Sequence, residues 1–509
     1  MTKNVRSTLD IYELYKPLRN ELRKIDTQGL LIILWHAAKA PLDGAVIKLK
    51  NKFGRVFDIF PWEIYILARE AVLQLVSDKK RKQVQTDDVF KLVNHLRRIS
   101  NDTSKKTINS VESALRSLHP LIHQQARWQN SREWERFHRA FRIYNRDDVR
   151  PLLENKLGMR ISTIYSLTFA IAGGAAKSPG VLSNIDYTFM DISANERDAY
   201  FAAFGASLSN IRDEIEQRQQ YDERWAFTWN PLEGTPLIKL SDDFPHQYLC
   251  PFPQFLLRRA TDSLFFDLAK SEEDFVNPYG MAFQVYVGDV LLAQFKGPIH
   301  RLLEEQTYNA TKKLLKHGVD WIVSDASGHI MFECKTRRLR VDAKAVADGG
   351  DLTKSIVDLA VIVVQHYKNL QDALQGLTRW RPDEKPVYLF VVTLEDWYLF
   401  APHVIEQLDS LVHERLSKLG LEHLLSSSPF IVTSVAELET AGQAIAQIGI
   451  HKFCENRVAS GNSHFGLSMH APQAFPDIKV KYERLFSSSS KEMLGHLSHL
   501  LDLPGSDDD

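Results

Sequence analysis

From about residue 8 to residue 235, apolar positions recur at helical spacing. Ile59, Trp62, Ile66, Ala68, Val72, Leu75 and Val76 mark one face, and Val89, Leu92, Val93 and Leu96 mark another. Thr86-Asp87-Asp88 supplies the short polar side chains of an N-terminal cap before the second. Polar, Gly and Pro stretches at Asn101–Ser104, Ser178–Gly180 and Asn230–Pro236 break the pattern. No self-similarity recurs at a fixed period, which argues against a repeat solenoid. The pattern predicts an all-α N-terminal region over residues 1–235.

After Thr235 the texture changes. Pro236–Leu240 reads as a strand, Tyr248–Pro253 as an extended segment, and Gln254–Lys270 and Gly280–Phe295 as helices. Two short strands, Trp321–Ser324 and His329–Glu333, flank the turn-rich Asp325-Ala326-Ser327-Gly328. A helix over Ser355–Leu377, a buried strand over Pro386–Thr393, a helix over Val404–Leu419, a strand over Pro429–Thr433 and a helix over Val435–Phe453 follow. This alternation predicts an α/β core at residues 236–456, and the chain as a whole is expected to be α+β and multidomain. Residues 457–509 form an extension whose Gly-Ser-Asp-Asp-Asp end reads as disordered.

With 509 residues the chain exceeds one hydrophobic core. A hydrophobic share of 44% beside 25% charged residues is that of an ordinary globular protein. Net charge is −1, so any nucleic-acid surface must gather its basic residues locally. Lys79–Lys82 with Arg97-Arg98 is one such cluster, and it reads as a solvated loop between helices. Cys250, Cys334 and Cys454 lie far apart with no CxxC pair, which fits a reducing cytoplasm and neither a disulfide framework nor a structural zinc site. The longest apolar run, Ile161–Ala176, is too short to span a membrane and reads as a buried helix. There is no Walker A loop, no GxGxxG and no HExxH. Gly173-Gly174 reads as close helix packing, and His366 and Tyr367 read as packing residues.

One constellation carries chemistry. Asp320 precedes the apolar Trp321-Ile322-Val323, and the return strand delivers Glu333-Cys334-Lys335. Side chains alternate along a strand, so Glu333 and Lys335 share a face and pairing brings Asp320 to the same edge. Two carboxylates beside an ammonium are costly unless a divalent cation neutralises the acids. Mg²⁺ suits a few carboxylate oxygens completed by water and phosphate, with Mn²⁺ able to substitute. Lys335 can then hold the attacking water or stabilise charge developing on a phosphate. The three side chains are expected to converge at a cleft edge. Glu154-Asn155-Lys156 shares the triplet in a helical context, where residues two apart do not share a face, and Asp78-Lys79-Lys80, Asp342-Ala343-Lys344 and Asp477-Ile478-Lys479 lack the strand leading in.

This arrangement, D-(x)₁₂-E-C-K on a β-hairpin, resembles the PD-(D/E)XK, or restriction-endonuclease-like, nuclease superfamily over residues 250–455. Val319 stands where the family usually has Pro. The resemblance implies a mixed central sheet flanked by helices, Mg²⁺-dependent hydrolysis of DNA, and Asp320, Glu333 and Lys335 as catalytic residues, with the two acids as metal ligands. It places Gly280–Val287 on the first-helix pattern G-x-x-F-E-x-Y-V, where Gln284 replaces the Glu that often supports the metal. Glu304 or Glu305, read as lying in the next helix, would then compensate. Gln365 and Lys368 occupy the place of a supporting polar pair on the helix after the hairpin.

The function expected is therefore a metal-dependent endodeoxyribonuclease. Cutting both strands calls for a homodimer or a partner protein, and analogy from fold to role suggests a bacterial restriction or phage-defence effector. The helical half would bind DNA, dimerise or sense a partner. The alternative is a degenerate nuclease fold that binds nucleic acid or protein without cutting.

Overall fold

The computed structural model describes residues 10–40, 42–43, 46–75, 81–129, 133–271, 274–304, 307–311, 314–345, 350–399, 402–459, 466–486 and 490–495. It divides into two compact units, Met1–Phe275 with Ser488–Asp509, and Val276–Ser487. The expected break at residue 235 falls inside the first of these. The reason is strand pairing: Leu237–Lys239 pairs with Gly205–Ser207, and Gln247–Leu249 with Gly180–Leu182, which tie residues 236–250 back to the helical region.

That first unit is mostly helical but not all-α. Leu42–Asp43, Val46–Lys50 and Val56–Ile59 form a small antiparallel sheet, and the strands just named form a second. Helices Tyr12–Leu22, Thr27–Ala38, Pro61–Leu73 and Thr86–Thr107 surround a core that includes Leu18, Leu31, Leu67, Val93 and Trp225. The stretch Asn101–Ser104, expected to break the pattern, is helical. Ile161–Ala175 is the buried helix expected there. Lys79 and Lys80 lie outside the described residues. Arg81 donates to Ile25 O, Lys82 pairs with Asp88, and Arg97 pairs with Glu63, so these cations stabilise local structure.

The second unit holds a five-stranded mixed sheet. Its elements, in chain order, are α1 (Val276–Gln294), β1 (Arg301–Glu304), β2 (Trp321–Ser324), β3 (His329–Lys335), α2 (Gly350–Leu374), β4 (Val387–Thr393), α3 (Pro402–Ser417), β5 (Phe430–Ser434) and α4 (Val435–Ile448). Strand order across the sheet is β5-β4-β3-β2-β1. β1, β2 and β3 pair antiparallel, while β3, β4 and β5 run parallel. β4 is buried along its whole length, as a central parallel strand covered on both faces must be.

Alternation divides the side chains between two faces. Ile322, Met331, Leu389 and Val391 pack with Ile356, Leu359, Val363 and Tyr367 of α2 and with Val404 and Leu408 of α3. Trp321, Phe332 and Phe390 lie on the other face, toward α1. A Cβ at Gly288 of α1 would stand 2.1 Å from the Trp321 ring, so only glycine lets α1 approach this closely. The segment Arg301–Glu304, expected to be helical, is the strand β1, because its backbone completes the ladder of β2. Gly449, with φ of 100°, ends α4 where one continuous helix was expected, and Ile450–Val458 forms a separate helix. Leu467–Ala474 is helical within the expected C-terminal extension, and residues 496–509 lie outside the described residues.

Candidate active site

The hairpin registers as its alternation predicts. Trp321 faces Phe332 and Ile322 faces Met331 across β2 and β3, and just before β2 the Asp320 N–H donates to Phe332 O at 3.0 Å, one residue out of that register. Glu333 and Lys335 alternate with Phe332 and Cys334 and so share the face of Met331, turned toward α2. The Asp320 carboxylate accepts the backbone N–H of Cys334 at 2.6 Å, which sets it against the residue between Glu333 and Lys335. Lys335 Nζ forms an ion pair with Glu333 Oε1.

Burial sorts the three by role. Asp320 and Glu333 are each 6% exposed, whereas the Lys335 side chain is 38% exposed. The ammonium is thus what solvent, or a ligand, meets first. Burial alone would lower the Lys335 pKa; the charges of Glu333 and Asp320 outweigh it and hold the pKa above the ordinary lysine value. The Cys334 thiol is buried and hydrogen-bonds to the Asp320 carboxylate. Burial, and then the charges of Asp320 and Glu333, push its pKa well above the ordinary value, so it is no nucleophile.

Behind Glu333 stands His366 of α2, completely buried. Its Nε2 lies 3.0 Å from Met331 O, placing the proton on that nitrogen, and its Nδ1 lies 3.8 Å from Glu333 Oε2. Neither Nδ1 nor Oε2 has a hydrogen-bond partner among the described residues. The packing role expected of His366 is only part of its position, since it also backs the candidate ligand. Burial pushes its pKa down. The signal in the sequence was a polar side chain inside the apolar stripe Leu359, Val363, Leu370.

The supporting residues are distributed differently. Trp321 Nε1–H donates to the backbone carbonyl of Gln284 at 3.0 Å, which sets Gln284 beside Trp321, on the face opposite Glu333. Glu304 is the cross-strand partner of Trp321 and so belongs to that same opposite face, and Glu305 lies outside the described residues. Gln365 and Lys368 are exposed on α2. Gln365 donates to Asn369, whose amide reaches toward Gly318 O at 3.5 Å, a link to the start of the hairpin. Past Lys335, Arg338 and Lys344 both pair with Glu395, a basic–acidic cluster that spacing alone did not single out.

Among the described residues, no three His, Cys, Asp or Glu side chains come together as a metal cage. Two buried carboxylates beside Cys334, one with an oxygen lacking a hydrogen-bond partner, suit an ion completed by water and phosphate better than one enclosed by protein. A cavity of about 370 Å³ lies along the outer strand β5, bounded by Trp397, Ile405, Val432 and Arg457. Among the described residues, no helix is long and apolar enough to cross a membrane. Comparison with protein-family models, with curated proteins and with solved structures finds no match to this chain.

Proposed function

We propose that the chain is a divalent-metal-dependent endonuclease acting on DNA. The observation that supports this reading best is that two buried carboxylates meet at Cys334, Asp320 bonded to its N–H and Glu333 preceding it, with the part-exposed Lys335 following. Asp320 and Glu333 would hold Mg²⁺ or Mn²⁺, and the ion would neutralise the acids and acidify a bound water. The remaining work falls to the chain itself. An approaching phosphate meets the Lys335 ammonium first. As it draws Lys335 away from Glu333, that carboxylate is released for its ligand role, and the charged amine is left at the phosphate, where negative charge develops. The backbone N–H of Cys334 keeps Asp320 oriented throughout. A homodimer would present two such sites to two strands. The role in restriction or phage defence rests on analogy alone.

Plasmid incubated with purified protein and Mg²⁺, with EDTA as control, tests the reading. Nicking or linearisation that EDTA abolishes is the expected result, and intact plasmid across Mg²⁺ and Mn²⁺ concentrations would overturn it. A second reading, a degenerate nuclease fold that grips nucleic acid without cutting, draws support from Lys335 already neutralising Glu333 and from Gln284 lying across the sheet. It requires DNA binding in EDTA together with an intact plasmid in Mg²⁺.

A further inference from the structure

A chain of net charge −1 can hold a polyanion only where its basic residues gather. The segment leaving β3 does this: five basic residues and one acid lie between Lys335 and Lys344. The structure divides the arginines into two kinds. Arg338 is 9% exposed and faces Glu395, which also pairs with Lys344 at 2.7 Å, so it is part of the packed frame. Arg337 and Arg340 stand outside that frame. Arg337 is 50% exposed and pairs at 2.8 Å with Asp358, itself 37% exposed. Arg340 is 64% exposed and lies 3.9 Å from Asp351, which is 47% exposed.

Ion pairs this exposed contribute little to stability and exchange readily for another anion. Their spacing is regular. Asp351, Asp358 and Gln365 succeed one another at seven-residue intervals on α2, which puts them on one side of the helix. Fourteen residues of helix extend about 21 Å, which matches about six steps of one nucleic-acid strand at about 3.4 Å each. His366, which follows Gln365 and turns inward, lies 3.8 Å from Glu333, so the row reaches the helical turn that backs the candidate site.

We propose that Arg337 and Arg340, held ready by Asp358 and Asp351, form a track along α2 that binds the phosphodiester backbone of duplex DNA leading to Lys335. The partner's identity rests on the nuclease reading; the track itself rests on exposure and spacing. Asp358 and Asp351 act as stand-ins for phosphate, occupying the arginines until DNA displaces them. Arg337 gives the nearer contact and Arg340 the farther one.

The test is the salt dependence of binding by the full-length protein to a fluorescent DNA duplex in EDTA, read by anisotropy. Arg337→Ala and Arg340→Ala should each weaken binding and make the slope of log K against log salt shallower by about one, the mark of one lost phosphate contact. Asp358→Asn and Asp351→Asn should tighten binding at low salt, since each removes a competing anion. Circular dichroism of each variant confirms that the exposed substitutions leave the fold in place. Unchanged slopes in both arginine variants overturn the track even if the wild type cuts plasmid. Slope losses with RNA but not with duplex DNA overturn the choice of partner. Slope losses on duplex DNA with no cutting by the wild type support the track and reject the nuclease reading.

Discussion

The Asp320 carboxylate accepts the backbone N–H of Cys334 at 2.6 Å, so the first acid of the hairpin holds a structural bond as well as a charge. Substitution separates the two. Asp320→Asn keeps an acceptor oxygen and removes the charge, so stability should stay near wild type while Mg²⁺-dependent cleavage disappears. Asp320→Ala also leaves a buried N–H unpaired and should lose a further 1–3 kcal/mol or so. Urea unfolding beside a plasmid assay measures both. Full cutting by the Asn variant would place the chemistry elsewhere.

Lys335 should matter to turnover more than to affinity. Its exposed ammonium meets the phosphate, but its value lies in charge that develops during reaction, so Lys335→Met is expected to lower kcat by about 10² or more with little change in DNA affinity. A large affinity loss at unchanged kcat would make it a plain phosphate contact.

The Lys335–Glu333 pair also makes a pH prediction. The folded pKa of Lys335 lies above its unfolded value of about 10.4, because Glu333 and Asp320 outweigh burial. The stabilisation is thus complete below the unfolded value and is lost as pH rises through the folded one. Glu333→Gln removes the leading upward influence, so its alkaline loss of stability should begin at lower pH than in the wild type. Thermal melting between about pH 8 and pH 11 compares them; superimposable alkaline limbs would deny the coupling.

What could be read from the sequence followed from range. The hairpin was legible because Trp321-Ile322-Val323 and Ile330-Met331-Phe332 alternate locally, and alternation fixes which side chains share a face. β1 was not, because adjacent Leu302 and Leu303 suit either period and only pairing with β2 decides between them. Residues 236–250 were assigned to the wrong side of a boundary because the strands that hold them, Gly180–Leu182 and Gly205–Ser207, are distant in sequence. His366 was read as packing because only the tertiary fold puts its second ring nitrogen toward Glu333. The place of Gln284 was inferred from a helix pattern, which says nothing of which sheet face the helix covers.

Gly288 is the close approach on which the α1 face depends. A methyl group there meets the rigid indole of Trp321 and not the end of a flexible chain. Gly288→Ala should force the ring aside, strain its bond to Gln284 O and cost about 1–3 kcal/mol or more. Urea midpoints report the loss. A variant as stable as wild type would show that α1 shifts freely, and the assignment of faces would then need revision.

That assignment decides the last prediction, which concerns metal. Were Gln284 directed at the carboxylates, Gln284→Glu would add a third acid and lower the Mg²⁺ concentration needed for cutting. Here Gln284 lies beside Trp321 and Glu304 lies across from Trp321, both on the face opposite Glu333. A charge gained at Gln284 or lost at Glu304 is then separated from the ion by the sheet itself. Gln284→Glu and Glu304→Gln should each leave the half-maximal Mg²⁺ concentration unchanged, while Glu333→Gln abolishes the dependence. Calorimetric Mg²⁺ titration provides a readout free of turnover. If Gln284→Glu tightens Mg²⁺ binding while Glu304→Gln stays silent, the α1 side chain reaches round the sheet to the ion. The site would then hold three carboxyl-bearing positions where the geometry supports two.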